Sequence, residues 1–227
     1  MVYWLTLLSD GGDFFNLFRY ITVRAGGAFL TSLLFGFVFG KPLINLLRRR
    51  QGRGQPIRSD GPEGHQSKAG TPTMGGALIL GALVVSTLLW ARLDNMHIWV
   101  VLFVTIGFGA IGFADDYAKV SKQTSAGVSG RVRLGLGFVI ALIAALVAAQ
   151  LHPEGLRLQV AVPVLKDTLV PFGILFFPFA MIVIVGTANA VNLTDGLDGL
   201  AVMPVMIAAA ALGVLAYAVG RVDFTQY

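Results

Sequence analysis

The chain has 227 residues, 56% of them hydrophobic and only 13% charged, with a mean hydropathy of +0.76. A soluble domain carries about 25% charged residues, so a large soluble core is excluded and an all-α polytopic membrane protein is expected. Cysteine is absent, which rules out disulfides and thiolate zinc sites, and the net charge of +5 includes no basic run interleaved with aromatics, so no nucleic-acid partner is expected.

The N-terminus, Met1-Val2-Tyr3-Trp4, lacks a basic leader region, and no cleaved signal peptide is expected. Residues 1–22, with Trp4, Phe14, Phe15 and Phe18, read as an interfacial segment lying on the membrane. A helix needs about 20 mostly apolar residues to cross a bilayer. Six segments qualify, near 23–47, 73–93, 98–115, 132–151, 170–191 and 199–220. The third is the shortest in strictly apolar residues. Lys41 and Pro42 fall near the inner end of the first, where lysine can snorkel to the headgroups. Gly107-Phe108-Gly109 and Gly135-Leu136-Gly137 suggest close helix–helix contact.

Basic residues set the orientation. The stretch 48–72 holds Arg48, Arg49, Arg50, Arg53, Arg58 and Lys68, and the stretch 116–133 holds Lys119, Lys122, Arg131 and Arg133. The alternate connections hold only Arg92, Arg157 and Lys166. The positive-inside rule then makes 48–72 and 116–131 cytoplasmic loops. Alternation adds the turn at 189–199 to that side and leaves the N-terminus periplasmic, although Arg19 and Arg24 count mildly against it. Between the fourth and fifth spans, 152–169 carries Pro153, Gly155, Pro163 and an alternating run from Leu156 to Val160, the pattern of a small periplasmic hairpin.

Three polar clusters sit at this cytoplasmic face. Asp115 and Asp116 close the third span. Charge at membrane depth faces a protein interior or an aqueous cavity, and adjacent carboxylates stay ionised only beside a cation. Magnesium, usually held by one or two carboxylates plus phosphates, meets that demand. Neighbouring helical positions point about 100° apart, so the two acids should differ in role. The plainer reading is an acidic pair neutralised by Lys119, four and three residues on.

Asn189, Asn192, Asp195 and Asp198 recur every third residue, and Gly196 and Gly199 imply that the cluster wraps a helix end. Amides and carboxylates of this kind suit ribose hydroxyls and a base edge. Capping by Thr194 or Asp195 would explain one such residue, not four.

The third cluster, Lys68-Ala-Gly-Thr-Pro-Thr-Met-Gly-Gly, leads into a helix. Lys68 can serve as a point charge for phosphate. Thr71 and Thr73 can cap, Pro72 suits a first helical turn, and Gly75 and Gly76 allow close approach of a backbone or lipid head. The order of residues is not that of a P-loop, and the plainer reading is a capped helix entry behind a solvated basic loop. His65 alone carries little. An anion-binding loop, a metal-suited acid pair and a nucleoside-suited cluster on one face point to phosphoryl chemistry on a nucleotide, with a lipid as the natural co-substrate.

The segments SDGPEGHQSKAGTPTMGG at 59–76, FADDYAKV at 113–120 and NAVNLTDGLDGLA at 189–201 resemble those of the phospho-N-acetylmuramoyl-pentapeptide transferases. These are bacterial members of the polyprenyl-phosphate N-acetylhexosamine-1-phosphate transferase superfamily. The first segment is specific to that branch, and the likeness runs along the whole chain. The resemblance implies attack of undecaprenyl phosphate on the β-phosphate of UDP-N-acetylmuramoyl-pentapeptide. Lipid I and UMP would result, with Mg2+ as cofactor, as the first membrane step of peptidoglycan synthesis in a bacterial inner membrane. Asp115, Asp116 and Lys68 would be catalytic, and Asp115 and Asp116 would also face the metal. Thr73, Lys119, Asn189, Asn192, Asp195 and Asp198 would bind substrate. The resemblance also admits a homodimer.

It further implies motifs beyond Tyr227: another metal-associated aspartate, a histidine-rich loop and about four more helices. The chain is thus expected to cover the N-terminal two-thirds of the family length and to turn over poorly alone. Arg133 stands where many relatives carry lysine, and Ser125-Ala126 replaces a commoner Thr-Lys. Alternatives of other kinds are a sister transferase using UDP-N-acetylglucosamine, a non-catalytic fragment, and a transporter. The last would place its site near the midplane, often with internal repeats.

Overall fold

The computed structural model describes residues 1–52, 72–123, 127–162, 165, 168–195 and 199–219. The protein is an all-α polytopic membrane protein with one short hairpin. Its helices are α1 (Ile21–Gln51), α2 (Gly76–Trp90), α3 (Met96–Lys122), α4 (Gly130–Leu151), α5 (Phe176–Thr194) and α6 (Val202–Val219). The chain divides into two compact units, Met1–Ala180 and Met181–Tyr227.

Among the described residues, five helices are long and apolar enough to cross a membrane. The second expected span departs from the pattern. Its helix α2 has 15 residues, or about 22 Å at 1.5 Å per residue. Met74, at φ 73°, breaks the chain just before it, so the helix starts at Gly76 rather than near 73. The third span, expected near 98–115, is part of a helix of 27 residues. It runs two turns past Asp115 because Lys119 pairs with both carboxylates on its own helix and adds local support there. Gln123 then ends it in the left-handed conformation at φ 48°. The connection to α4 is correspondingly shorter than expected. Arg48, Arg49 and Arg50 likewise belong to the last turn of α1, where cations complement the helix dipole.

Close packing in the first unit depends on small residues. Ala141, Ala144, Ala145 and Ala149 form a buried stripe on α4. A Cβ at Gly107 would press on Ile140, and one at Gly109 on Leu80, so this glycine pair lets α3 approach both neighbours. The second glycine pair behaves differently: Gly137 is buried, whereas Gly135 meets nothing. Trp90 Nε1 donates to Thr31 Oγ1 at 2.9 Å, tying α2 to α1. Large apolar side chains such as Phe29, Phe37, Ile79 and Val101 point outward, as lipid contact demands.

Before α1 come 3₁₀ turns at Val2–Leu8 and Phe14–Arg19, and the guanidinium groups of Arg24 and Arg92 lie 4.9 and 4.8 Å from the ring centre of Tyr3 in the first. After α4, strands β1 (Gln159–Ala161) and β2 (Leu169–Pro171) pair antiparallel, Val160 opposite Val170.

Candidate active site

At the Lys122 end of α3, Thr73 from before α2 and residues 127–133 at the start of α4 converge on the acid pair. Asp115 is only 6% exposed, and both of its oxygens are engaged. Oδ1 accepts the Val128 N–H at 2.8 Å. Oδ2 faces Lys119 Nζ at 2.7 Å and Arg133 Nη1 at 3.7 Å. A buried carboxylate survives when it is paired and hydrogen-bonded in this way. The glycine at 127 belongs to the same arrangement, because a Cβ there would collide with the Asp115 carboxylate.

Asp116, one position on, points elsewhere. Its Oδ2 accepts the Thr73 hydroxyl at 2.9 Å, while Oδ1 lies 3.5 Å from Lys119 Nζ. Its side chain is 30% exposed, so it keeps acceptor capacity for an incoming group. Thr73 does not cap α2, contrary to the sequence expectation; the N-cap is Gly75, without a side-chain bond. The Thr73 backbone is instead held by Gln51 at the end of α1. Its N–H donates to Oε1 at 2.9 Å, and its carbonyl accepts from Nε2 at 3.0 Å. Pro72 accordingly precedes the helix rather than opening it.

Gln51 and Gly127 were not singled out from the sequence. A glutamine after three arginines carries no signal of a partner 22 residues away. Gly127 looks like any loop glycine until the carboxylate beside it is seen. Arg133, which the sequence presents as one of the basic residues that set the orientation and as a departure from lysine, stands beside Asp115.

Asn189 and Asn192 lie within the last turns of α5, and Asp195 follows its end. Asn189 Nδ2 donates to Val185 O at 2.8 Å, and Thr194 Oγ1 donates to Ala190 O at 2.7 Å. Thr194 therefore closes α5 instead of capping α6. Asn192 and Asp195 are exposed, and among the described residues no hydrogen bond engages either side chain. Gly199 takes φ +79°, in keeping with the expected chain break. Lys68, His65, Thr71, Gly196 and Asp198 lie outside the described residues.

Among the described residues no cluster of three metal-ligating side chains occurs. The donor set still suits a hard cation that takes most of its ligands from phosphate and water: Asp116 supplies a part-exposed carboxylate, whereas the Asp115 oxygens are already engaged by Val128, Lys119 and Arg133. Between α2 and α3 lies an apolar groove of about 680 Å³, lined by Met74, Leu80, Val84, Ile106, Ala110 and Phe113 among others. Met74 adjoins Thr73, and Phe113 precedes Asp116 by one turn.

Comparison with known proteins matches Glycosyl transferase family 4 over residues 98–227. The Phospho-N-acetylmuramoyl-pentapeptide-transferase signature 1 matches residues 68–80. The chain is similar to proteins named phospho-N-acetylmuramoyl-pentapeptide-transferase in several bacteria. It is 73% identical to that of Ruegeria sp. (strain TM1040) and 72% identical to that of Ruegeria pomeroyi, over 100% of this chain and 63% of each relative. It is 59% identical to that of Maricaulis maris, over 97% of this chain and 62% of the relative. The chain thus spans about 63% of the length of the relatives it matches most closely among these.

Proposed function

The chain belongs to glycosyl transferase family 4, and on that premise we propose that it carries part of the site of a phospho-sugar transferase acting on a polyprenyl phosphate. The donor is UDP-N-acetylmuramoyl-pentapeptide, as the relatives' names suggest, and the acceptor is undecaprenyl phosphate. The products are lipid I and UMP, made at the bacterial inner membrane with the acid pair on its cytoplasmic side. The observation that carries this reading is the Thr73–Asp116–Lys119–Asp115–Arg133 cluster, assembled from three segments around one open carboxylate.

An oxygen of the acceptor phosphate attacks the donor's β-phosphorus, and the bond from that phosphorus to the bridging oxygen breaks, so UMP leaves with the electron pair. Such transfer rests on positioning and charge neutralisation more than on covalent help from protein. Asp116 orients the acceptor phosphate and takes its proton when it arrives as the monoanion. The Thr73 hydroxyl holds Asp116 in place. Lys119 and Arg133 screen the approach of two anions, and Asp115 holds those cations where they are needed. Mg2+, held by Asp116 together with substrate phosphates, would supply further neutralisation of the pyrophosphate. Asn192 and Asp195, exposed and without local partners among the described residues, are the residues for uridine, with Asn189 beside them; Lys68 and Asp198 join the phosphate and nucleoside contacts respectively. The apolar groove between α2 and α3 suits the polyprenyl tail, since its Met74–Phe113 end adjoins Thr73 and Asp116.

The test is lipid I formation in vesicles of stated lipid content, with Mg2+, using this chain and the same chain extended to the relatives' full length. Activity in the extended protein with the muramoyl-pentapeptide donor is expected. Preference for UDP-N-acetylglucosamine would transfer the assignment to a sister enzyme. Absence of turnover with either donor, in correctly inserted protein, would overturn it.

A further inference from the structure

We propose that Gln51 is a positioning residue for the carboxylate site, acting through Thr73 on Asp116; this rests on the transferase reading above. Gln51 is 8% exposed, although the three arginines before it and Gly52 after it are all exposed. Burying a primary amide is costly unless its donor and acceptor are both used. Here both are used on one residue: Oε1 accepts the Thr73 N–H and Nε2 donates to the Thr73 carbonyl. The side chain thereby pairs with Thr73 as an adjacent strand would.

Among the described residues Thr73 has no other backbone hydrogen bond. It lies outside α2, between Pro72, which has no N–H, and Met74, whose positive φ reverses the chain. Its backbone is therefore fixed by Gln51, and its hydroxyl is free to reach across to α3 and donate to Asp116 Oδ2 at 2.9 Å. The result is a relay from the end of α1, through the segment before α2, to the open carboxylate on α3. The chemistry requires glutamine in particular. Glutamate lacks the donor, and asparagine is one methylene too short to span both Thr73 groups from the same backbone position.

A purely structural tie between α1 and the segment before α2 would also be buried. The two differ in how substitutions combine. The experiment uses the full-length protein in detergent and vesicles, with Gln51→Met, Gln51→Asn, Thr73→Val and the Gln51→Met/Thr73→Val pair. Two measurements are made: steady-state turnover and amide hydrogen exchange in the segment 72–76. Gln51→Met is expected to lower kcat by about tenfold or more, as misplacement near a reacting group does. Donor KM should stay within about twofold. Gln51→Asn should fall at least halfway toward that value. In the Thr73→Val background, Gln51→Met should cost nothing further in kcat, because both act through one hydroxyl. Exchange in 72–76 should quicken while that in α3 is unchanged.

Additive losses in the double variant would overturn the inference, since a structural tie would harm the enzyme whether or not Thr73 carried its hydroxyl. Near-normal turnover of Gln51→Met would also overturn it. Unchanged exchange at 72–76 would do so even in a protein without transferase activity. Loss of activity in the unsubstituted protein is a different result, and counts against the transferase reading alone.

Discussion

The acid-pair cluster and the Asn189–Asp195 stretch are both polar groups at the ends of apolar helices, yet they are built in opposite ways. Around Asp115 and Asp116 the bonds join residues 13, 22 and 43 positions apart. Along the end of α5 the bonds of Asn189 and Thr194 reach only three or four residues back, and Asn192 and Asp195 are exposed. The first region is preorganised by the fold, so its geometry exists before a substrate arrives. The second is a row of polar groups presented by one helix end, where among the described residues no hydrogen bond engages the Asn192 or Asp195 side chain. Preorganised charge is what acts on a transition state, whereas adaptable polar contacts serve binding.

The comparison breaks first at Asp116. Asp116→Asn in the full-length protein is expected to reduce turnover by roughly 10²–10³ or more, on the scale of losing a charge-stabilising group. Membrane insertion should be unaffected. A lipid I assay paired with membrane fractionation checks this, and near-normal turnover would remove Asp116 from the chemistry.

Gly127→Ala tests the same region through shape alone. Its Cβ would strike the Asp115 carboxylate, and overpacking of this kind costs about 1–3 kcal/mol. A lower unfolding midpoint in detergent and a clear loss of turnover are both expected. Unaltered stability would mean that the connection before α4 yields freely, and that Asp115 is not tightly held.

For the second region, Asn192→Ala should raise the donor KM several-fold, by about 1 kcal/mol for one hydrogen bond, with kcat and thermal midpoint unchanged. A fall in kcat with an unchanged KM would show that α5 contributes to the transition state as well, and the contrast between the two regions would narrow.

The smallest effect is expected at the pair formed by Arg92 and Asp94, 2.6 Å apart and exposed. The hydrogen bond from Arg92 holds the Asp94 carboxyl below its ordinary range. A depressed carboxylate adds stability above its unfolded pKa, and that stability is lost as pH falls through the folded value. The contribution is therefore present at neutral pH and disappears in acid, below about pH 4. Asp94→Asn should leave turnover unchanged and barely move the thermal midpoint at neutral pH, because exposed pairs contribute little. A large shift at neutral pH would show that the pair anchors the connection between α2 and α3.

Much of this molecule was legible in its residues taken in order. The helices followed from long apolar runs, since a bilayer leaves a backbone few other solutions. The acid pair, Lys119 and the asparagine row stood out because polar groups are rare in such surroundings. Gly107 and Gly109 pointed correctly to close helix contact. The start of α2, the continuation of α3 to Lys122, the burial of Gln51, the need for glycine at 127 and the contrast between Asp115 and Asp116 did not stand out. The last three depend on a partner from another segment: Gln51 on Thr73 before α2, Gly127 on Asp115 of α3, and the two carboxylates on Thr73, Val128 and Arg133. Hydropathy and spacing are properties of neighbours along the chain, so they determined the membrane class, the helices and the kinds of group available. Which carboxylate is locked and which stays open was decided only by the tertiary structure, because hydrogen bonds and ion pairs across helices depend on distances that no local pattern encodes.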